Sequence, residues 1–441
     1  MRLTILGGGG FRVPLVHRAL LARPGLGIDE VVLHDVDPAR LAVVAAVLPP
    51  DPRVRVRTTD SLSDALTGAD VVFSAIRVGG ATGRVRDERR ALRLGLLGQE
   101  TVGAGGLAFG LRTLPVVLDA ARVQAEVAPE SWLINFTNPA GMITQALTAV
   151  LGAKVIGICD SPIGLVRRAC RALGLPADQV RYDYAGINHL GWLTGLHHQG
   201  RDRLPDLLAD DALLAGTEEG RLFGPELLRS LRCIPNEYLY FYYAAREVAA
   251  ALADAPTRGE VVAAHQQDFY RAAGAHPDEA ARLWQQARAH REETYLAEAR
   301  DTERDEADLL GGGYEHVALD IVEAVLAGPG RPPAELLVNA PNGTAQPQLP
   351  PDMVIETRCL VDASGARVQP GPALPLHQLG LVASVRAAEN TVIAAVRDRD
   401  RDAAVTGFAI HPLIGSRQLA ADLVASVEAD EPTVAALFRS R

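Results

Sequence analysis

Two segments of the sequence carry side chains that bind divalent metals. Asp160 follows Cys159 at the end of a predicted strand, and His189 follows Asn188 thirty residues beyond that cysteine. A thiolate and an imidazole can hold one cation and leave coordination positions open for substrate oxygens. From the residues alone, the alternative remains that the cysteine and the histidine are ordinary packing or hydrogen-bonding side chains.

An aromatic run is the third chemical feature of the chain. It spans 238–243 and reads Tyr-Leu-Tyr-Phe-Tyr-Tyr. On a helix, Tyr238 and Tyr242 would share one face. Such a stripe often packs in a core or an interface, but a tyrosine beside a metal and a cation can also act as a base. Both interpretations stay open from the residues alone.

A glycine run separates the first predicted strand, Arg2–Leu6, from the first predicted helix, Val13–Leu21. Glycines let a backbone turn tightly and approach a pyrophosphate, which then lies at a helix N-terminus. Asp35 closes the second strand, where a carboxylate can accept hydrogen bonds from a ribose. This pattern predicts a dinucleotide site, and the alternative is a glycine turn without a nucleotide.

The elements that position these residues alternate between strand and helix up to about residue 185. Such alternation predicts a Rossmann-like, doubly wound parallel α/β sheet of the lactate and malate dehydrogenase type. Beyond it, alanine- and arginine-rich stretches predict helices over 260–275 and 278–300, with short strands near 336–339 and 353–361. We therefore predict a dinucleotide-binding domain over 1–185. An α+β domain over 186–441 would carry substrate, metal and oligomer contacts.

Composition limits the class of partner. The 441 residues carry a net charge of −10, which argues against nucleic acid, whose binding needs a basic surface. We find no secretory signal. We also find no uninterrupted apolar run as long as the roughly 20 residues that a membrane-spanning helix needs. The four cysteines fit no zinc or redox spacing. We therefore expect a cytoplasmic protein without a membrane partner.

Eight short segments, in their order and spacing, resemble glycoside hydrolase family 4. The likeness runs through nearly the whole chain and is nearest to the 6-phospho-β-glucosidase branch. The segments that carry it are Leu6–Gly10, Ile76–Gly80, Gly98–Thr101, Asn135–Gly141, Gly157–Pro162, Gly186–Gly191, Ile234–Leu239 and His411–Leu413.

The resemblance implies a mechanism that differs from the usual pair of carboxylates. Enzymes of this family hold NAD⁺ tightly, with Mn²⁺ as the usual divalent metal. Hydride transfer from C3 of the sugar makes the C2 proton acidic, and a tyrosine removes it. The aglycone leaves by elimination, water adds, and the hydride returns, so no net oxidation occurs.

The resemblance also implies roles for particular residues. Cys159 and His189 would hold the metal, Tyr238 would be the base with Tyr242 as the fallback, and Asp160 would assist the glycosidic oxygen. The substrate would contact Arg84, Asn138, Asn188 and Arg258. The cofactor would contact Gly7, Gly8, Gly9, Gly10, Phe11, Asp35 and Arg77.

Two departures from the family pattern bear on the substrate. Leu310 stands where the family often has an arginine before a Gly-Gly segment, and Asp160 stands where some β-acting relatives have asparagine. We expect a phosphorylated sugar as substrate and a homodimer or homotetramer. The alternatives are a family 4 hydrolase of α-linked or unphosphorylated glycosides, a lactate- or malate-type dehydrogenase, and a nucleotide-binding regulatory protein.

Overall fold

The computed structural model describes residues 1–293, 313–328 and 330–439. Within them, six parallel strands form one side of the main sheet, with β3 at its edge, in the order β3-β2-β1-β4-β5-β6. This is the strand order of dinucleotide-binding folds, so the predicted doubly wound sheet is confirmed. The strands are β1 Arg2–Leu6, β2 Glu30–His34, β3 Arg55–Thr59, β4 Val71–Ser74, β5 Trp132–Asn135 and β6 Val155–Gly157.

Helices cover both faces of this sheet, as buried parallel strands require. Side chains alternate between the two faces: Leu3 and Ile5 of β1 pack with α1 and α2, whereas Leu133 of β5 packs with α5 and α6. The helices of this first half are α1 Val13–Leu21, α2 Pro38–Val47, α3 Leu62–Leu66, α4 Gly80–Arg93, α5 Gly103–Val127, α6 Ala140–Leu151 and α7 Ser161–Ala172.

Three strands from the second half of the chain extend the same sheet. The first of them lies antiparallel to β6, with Asn339 opposite Gly157, and the other two follow in turn. The predicted division at residue 185 therefore separates two stretches of chain that share one sheet. The strands are β11 Ala334–Pro341, β12 Val354–Asp362 and β13 Gly365–Val368.

A smaller antiparallel sheet was not predicted from the sequence. Its long hairpin has a two-residue turn, which holds Asn188 and His189, and it therefore brings these side chains to a tight bend. The strands are β7 Arg181–Ile187, β8 Leu190–His198, β9 Arg201–Asp202 and β10 Ile234–Pro235.

The remaining helices lie in the second half. The predicted helix over 260–275 is α13, and the predicted helix over 278–300 begins as α14, while residues 294–300 lie outside the described part. These helices are α8 Leu204–Ala209, α9 Asp211–Ala215, α10 Glu218–Leu231, α11 Tyr240–Tyr243, α12 Ala245–Leu252, α13 Arg258–Ala275, α14 Ala280–Glu293, α15 Tyr314–Val325, α16 Leu376–Asp398, α17 Arg401–Ile410, α18 Arg417–Asp430 and α19 Pro432–Arg439.

Two helices of the described chain are long and apolar enough to cross a bilayer by length and composition. In Gly103–Val127, 83% of the apolar window is buried inside the protein, as in the core helix of a globular domain. In Leu376–Asp398, 39% is buried. Neither helix is an uninterrupted apolar run, because polar residues are scattered along both of them.

Candidate functional site

The glycine run forms a tight turn against the end of the second strand. The backbone N–H groups of Gly7 and Gly8 both donate to the carbonyl oxygen of His34, at 2.9 and 2.7 Å. Gly7 has a φ of 83°, in the left-handed region that glycine adopts without strain. The N–H of Gly9 donates to Oδ2 of Asp35 at 3.0 Å. The turn and the acidic residue therefore meet, although they are far apart in sequence.

Close packing explains why glycine is needed here. A Cβ on Gly8 would lie 2.7 Å from Cβ of Leu33, and one on Gly7 would lie 2.6 Å from the carbonyl oxygen of Ala75. Helix α1 begins just beyond the run, at Val13, and directs its N-terminus toward the turn. Unpaired N–H groups at a helix N-terminus favour an anion such as a pyrophosphate. The turn therefore fits a dinucleotide.

The outer wall of this turn comes from the second half of the chain. The hydroxyl of Tyr270 donates to the carbonyl oxygen of Gly9 at 2.7 Å, and Nε1 of Trp284 donates to that of Phe11 at 2.8 Å. The ring of Phe11 packs edge-on against Phe269, with ring centroids 5.4 Å apart. Phe11 thus points into an apolar cluster, and its backbone is the part that lies at the turn.

A cavity of about 760 Å³ opens beside the turn. Its lining comes from the start of α2, the loop after β4 and one face of α13, and it includes Arg40, Gly79, Gln266 and Tyr270. The guanidinium of Arg40 lies 4.1 Å from the centroid of the Tyr270 ring. This volume lies within the range of small-molecule and cofactor sites. The cavity therefore offers room for the part of a dinucleotide that extends past Asp35.

The two candidate metal ligands are both buried. Cys159 lies two residues beyond β6, at the carboxyl edge of the main sheet, and His189 occupies the turn of the β7–β8 hairpin. Burial raises the pKa of the Cys159 thiol, and the nearby carboxylates of Glu356 and Asp160 raise it further. Burial lowers the pKa of His189 to about 4, against the opposing effect of Asp160. Asp160 therefore acts electrostatically on both candidate ligands.

This setting fits a divalent cation. A neutral imidazole is the form that binds metal, and the carboxylates around Cys159 favour a positive charge there. One buried oxygen of Glu356 has no hydrogen-bond partner. Among the described residues, no group of three or more His, Cys, Asp or Glu side chains could hold a metal. The protein would thus supply Cys159 and His189, and substrate or water would complete the coordination.

Tyr238 lies directly on the candidate metal ligand. Its ring is stacked on that of His189, with centroids 3.7 Å apart and planes 7° from parallel. The aromatic run is not one helix, because a 3₁₀ turn over Glu237–Leu239 precedes α11. Burial raises the pKa of Tyr242, whose ring neighbours His411 instead. The structure therefore brings Tyr238, and not Tyr242, to His189.

A buried ionic network joins the segments that carry Asp160 and Tyr238. The hydroxyl of Ser161 donates to Glu237 at 2.7 Å, and the guanidinium of Arg168 contacts the same carboxylate at 3.3 Å and also pairs with Glu219. Burial raises the pKa of Glu237 to about 7, although Arg168 opposes this shift. The network fixes the start of α7 against the tyrosine segment.

The two asparagines predicted to contact substrate lie on one side of the site. Oδ1 of Asn138 accepts a hydrogen bond from the N–H of Ala140 at 3.3 Å, at the start of α6. The next residue, Gly141, donates its N–H to Oδ1 of Asn188 at 3.4 Å. The segment after β5 and the hairpin turn are thereby linked.

Several arginines converge on the other side. Arg77 and Arg84 both pair with the buried carboxylate of Glu100, at 2.7 and 3.1 Å. Arg258 donates to the carbonyl oxygen of Arg291 at 3.0 Å. Burial lowers the pKa of Arg291 to about 9, and the charges of Arg12, Arg77 and Arg84 lower it further. We call Arg12, Arg77, Arg84 and Arg291 the arginine cluster.

Sequence similarity to known proteins identifies the family of this chain. Residues 2–175 match the family 4 glycosyl hydrolases, and residues 184–414 match the family 4 glycosyl hydrolase C-terminal domain. The chain belongs to glycoside hydrolase family 4. Together the two matches cover most of the chain, as the resemblance predicted.

The relatives in family 4 include both 6-phospho-beta-glucosidases and 6-phospho-alpha-glucosidases. A probable 6-phospho-beta-glucosidase of Bacillus subtilis (strain 168) is 28% identical over 96% of this chain and 94% of its own length. A 6-phospho-alpha-glucosidase of Lacticaseibacillus paracasei is 33% identical over 46% of this chain and 48% of its own.

A solved structure shares the fold along the whole family 4 chain. It is the 6-phospho-beta glucosidase of Thermotoga maritima, solved with manganese, NAD⁺ and glucose-6-phosphate. Its TM-score to this chain is 0.83 at 24% identity, over 98% of this chain and 99% of that one.

Several residues of this family 4 site were missed from the sequence, among them Glu100, Thr101, Glu356 and Arg291. Glu100 and Thr101 lie in a segment that supported the resemblance, yet no role was assigned to them. Oγ1 of Thr101 lies 3.1 Å from Nδ1 of His189, so this pair joins the arginine cluster to the metal ligand. Glu356 carried no sequence signal, because it is one acid in an ordinary strand. Leu310 lies outside the described residues.

Proposed function

We propose that this family 4 enzyme hydrolyses 6-phospho-β-glucosides with the help of NAD and a divalent metal such as Mn²⁺. The observation that carries the proposal is the parallel stacking of Tyr238 on His189, beside Cys159 and Asp160. It joins the predicted base to the predicted metal ligands at the carboxyl edge of a dinucleotide-binding sheet. The full-length likeness to a probable 6-phospho-beta-glucosidase supports the substrate class.

The cofactors supply the chemistry that side chains lack. When bound, NAD would supply reversible hydride transfer at C3 of the sugar, and a divalent metal would supply Lewis-acid polarisation of the sugar oxygens. The chain provides the surroundings: Gly7–Gly10 and Asp35 hold the dinucleotide, and Cys159 and His189 hold the metal. Asn138 and Asn188 orient the sugar hydroxyls from one side.

Proton transfer falls to Tyr238 and Asp160. A ketone at C3 makes the neighbouring C2 proton acidic, so that a phenolate can remove it. The Tyr238 phenolate takes this proton, and the electron pair left on C2 expels the aglycone oxygen from C1. The proton held by Tyr238 returns to C2 when water adds at C1. Asp160 donates a proton to the departing oxygen and then takes one from the water that adds at C1. The hydrogen bond from Ser161 to Glu237 holds the neighbouring residues Asp160 and Tyr238 in fixed relative positions.

The arginine cluster supports a phosphorylated substrate. Guanidinium groups bind phosphate through paired, charge-assisted hydrogen bonds, and several converge here from different elements. Arg84 adjoins Glu100, whose neighbour Thr101 contacts His189, so the cluster borders the sugar site. Arg291 adds a guanidinium to this border, because its charge acts together with those of Arg12, Arg77 and Arg84.

A panel of nitrophenyl glucosides tests the proposal. It contains α and β anomers, each with and without a 6-phosphate, assayed with NAD⁺ and Mn²⁺ by aglycone release and by absorbance of NADH. We expect release from the 6-phospho-β compound without lasting NADH. Preferential release from the α compound would place the enzyme with its α-acting relatives. Lasting NADH would instead support a dehydrogenase of the lactate or malate type.

We also propose a cytoplasmic homodimer or homotetramer. The N-terminal half of the helix Leu376–Asp398 supports this assembly, because Leu376 is 84% exposed on a largely apolar helix. Contact with a second copy of the chain would remove this apolar side chain from water. Light scattering after gel filtration measures the assembly, and Leu376→Glu should lower its mass if this helix forms the contact.

A further inference from the structure

Glu356 is a buried acid next to the metal ligands. It lies on β12 with 1% of its surface exposed, opposite Asn339 of β11. Asn339 in turn lies opposite Gly157, two residues before Cys159. The antiparallel extension of the sheet thus places a carboxylate beside the end of β6. The mechanism described above does not use this carboxylate.

The two oxygens of Glu356 have different surroundings. Oε1 accepts hydrogen bonds from Nδ2 of Asn188 at 3.1 Å and from Nδ2 of Asn339 at 2.8 Å. Oε2 is buried and has no hydrogen-bond partner. A buried polar atom without a partner loses its hydration with nothing in return, so native structures rarely keep one without a reason. Oε2 is therefore the oxygen of Glu356 that indicates a bound partner.

The hydrogen bond to Asn188 stabilises an unfavourable turn. His189 has a φ of 60°, which is uncommon for any residue but glycine. A left-handed backbone brings Cβ close to the following carbonyl oxygen, so tertiary contacts must hold this residue. Glu356 and Gly141 bind the two ends of the Asn188 amide, and Thr101 binds the imidazole of His189. Glu356 thus helps to fix the direction of the metal ligand.

The negative charges around Glu356 would favour a bound cation. It acts electrostatically on Cys159 and is itself affected by Asp160. Burial raises the pKa of Glu356 to about 7, and Asp160 adds to this shift, while Asn188, Asn339 and Arg386 oppose it. Arg386 is engaged elsewhere, with Glu389 at 2.6 Å and the carbonyl oxygen of Val354 at 2.8 Å.

We propose that Glu356 is a positioning residue of the metal site. Its Oε1 holds the Asn188–His189 turn, and its Oε2 accepts a hydrogen bond from a water molecule or sugar hydroxyl that lies at Cys159 and His189. This inference rests on the proposed function, because it needs Cys159 and His189 to bind a metal. Partners of this kind orient metal ligands and typically change metal affinity 10- to 100-fold.

Glu356→Gln separates the two roles of the carboxylate. Glutamine keeps one oxygen for the amides of Asn188 and Asn339 but replaces Oε2 with a donor NH₂ group. The measurement is the dissociation constant for Mn²⁺, from the EPR signal of the free ion, and the NAD⁺ dissociation constant from calorimetry. The matched control is Glu335→Gln on β11, whose carboxylate contacts Arg358 at the surface.

We expect Glu356→Gln to raise the Mn²⁺ dissociation constant about 10- to 100-fold and to leave NAD⁺ binding unchanged. Glu335→Gln should resemble the wild type in both. A wild-type protein that binds no Mn²⁺ would refute the metal site of the proposed function. A wild type and a Glu356→Gln variant that bind Mn²⁺ equally would refute only the role of Glu356.

A second variant keeps the test decisive if Glu356→Gln does not fold. Asn339→Ser removes one hydrogen bond to Oε1 without touching the turn. We expect its Mn²⁺ dissociation constant to rise several-fold, since Glu356 becomes less fixed. An unchanged constant in a folded Asn339→Ser protein would overturn the inference.

Discussion

The dinucleotide turn and the metal centre of this enzyme are built in different ways. The turn uses one short stretch, Gly7–Gly10, and its main hydrogen bonds go to the end of the adjacent parallel strand. The metal centre takes Cys159, His189 and Tyr238 from three separate elements. Of its buried acids, Glu237 precedes Tyr238 in the same 3₁₀ turn, and Glu356 comes from a fourth stretch of chain, strand β12.

Because of this difference, the two sites should be sensitive to different kinds of substitution. A locally built turn depends on small residues that let backbones meet, so one added methyl group can disturb it. An assembled centre depends on the burial and the hydrogen bonds of many partners. Its function should therefore respond to changes that leave the backbone intact.

The largest expected effect belongs to Tyr238→Phe, which removes a hydroxyl from the assembled centre. We expect turnover to fall about 10²- to 10⁴-fold, because general-base catalysis contributes that much. NAD⁺ binding should not change, since the ring can still stack on His189. Steady-state kinetics on the 6-phospho-β-glucoside and calorimetry with NAD⁺ measure the two quantities.

Tyr240→Phe is the matched control, because that ring neighbours Phe223 instead. Turnover in D₂O adds an independent measurement, in which the wild type should place deuterium at C2 of the product. Retention of the C2 proton throughout turnover would rule out the elimination mechanism.

The next effect concerns acid stability in the region that supports the centre. His411 is buried, accepts a hydrogen bond from the N–H of Leu413 at Nδ1, and has a pKa lowered to about 3 by burial. Below pH 6.5 the unfolded chain binds a proton on His411, whereas the folded chain keeps this imidazole neutral until the pH approaches 3. Stability is therefore complete above pH 6.5 and falls with pH, by about 3 kcal/mol between pH 6.5 and 4.

Urea unfolding from pH 7 to pH 4 measures this slope. His411→Asn keeps an acceptor for Leu413 and should flatten the slope, although His189 leaves part of it. His377→Asn, at an exposed residue, is the control and should keep the slope. Parallel curves for wild type and His411→Asn would show that this histidine does not carry the effect.

Gly8→Ala tests the locally built turn. The added Cβ would lie 2.7 Å from Cβ of Leu33 and 2.8 Å from the backbone nitrogen of His34, so the strands must move apart. We expect a loss of about 1–3 kcal/mol in the free energy of unfolding, as for other overpacked sites, and weaker NAD⁺ binding. Urea unfolding and calorimetry measure both.

Gly25→Ala is the control, because no heavy atom lies within 4 Å of its added Cβ. It should bind NAD⁺ like the wild type. If Gly8→Ala also binds NAD⁺ like the wild type, the close packing of the turn is not what the cofactor requires.

The smallest effect is expected for Asp35→Ala. Its carboxylate accepts the N–H groups of Gly9 and Asp37, at 3.0 and 3.1 Å, and would also accept the ribose. Loss of about one hydrogen bond should raise the NAD⁺ dissociation constant about tenfold. It should also narrow the preference for NAD⁺ over NADP⁺, since the acid repels a 2′-phosphate.

Asp60→Ala, at the exposed end of β3, is the control and should leave both dissociation constants unchanged. A wild type that binds NADP⁺ as well as NAD⁺ would contradict the role given to Asp35.

Sequence periodicity determined the first half of the fold. Five of the six parallel strands, all but β3, are short apolar runs that end at glycine or polar residues, and such runs form buried strands. The helix Val13–Leu21 and the strands Arg2–Leu6 and Glu30–His34 were predicted with the observed bounds. The glycine turn and Asp35 were found together because their spacing follows from one strand–helix–strand unit.

Tertiary structure alone decided the rest. No local pattern shows that β11 pairs with β6, because pairing of distant strands is chosen by the packing of the whole sheet. That pairing brings Glu356 to Asn188, and the hairpin turn brings His189 under Tyr238. The residue types at this centre were fixed by the sequence. Their distances were decided by contacts between segments far apart in the chain, where burial, and not spacing, holds the side chains together.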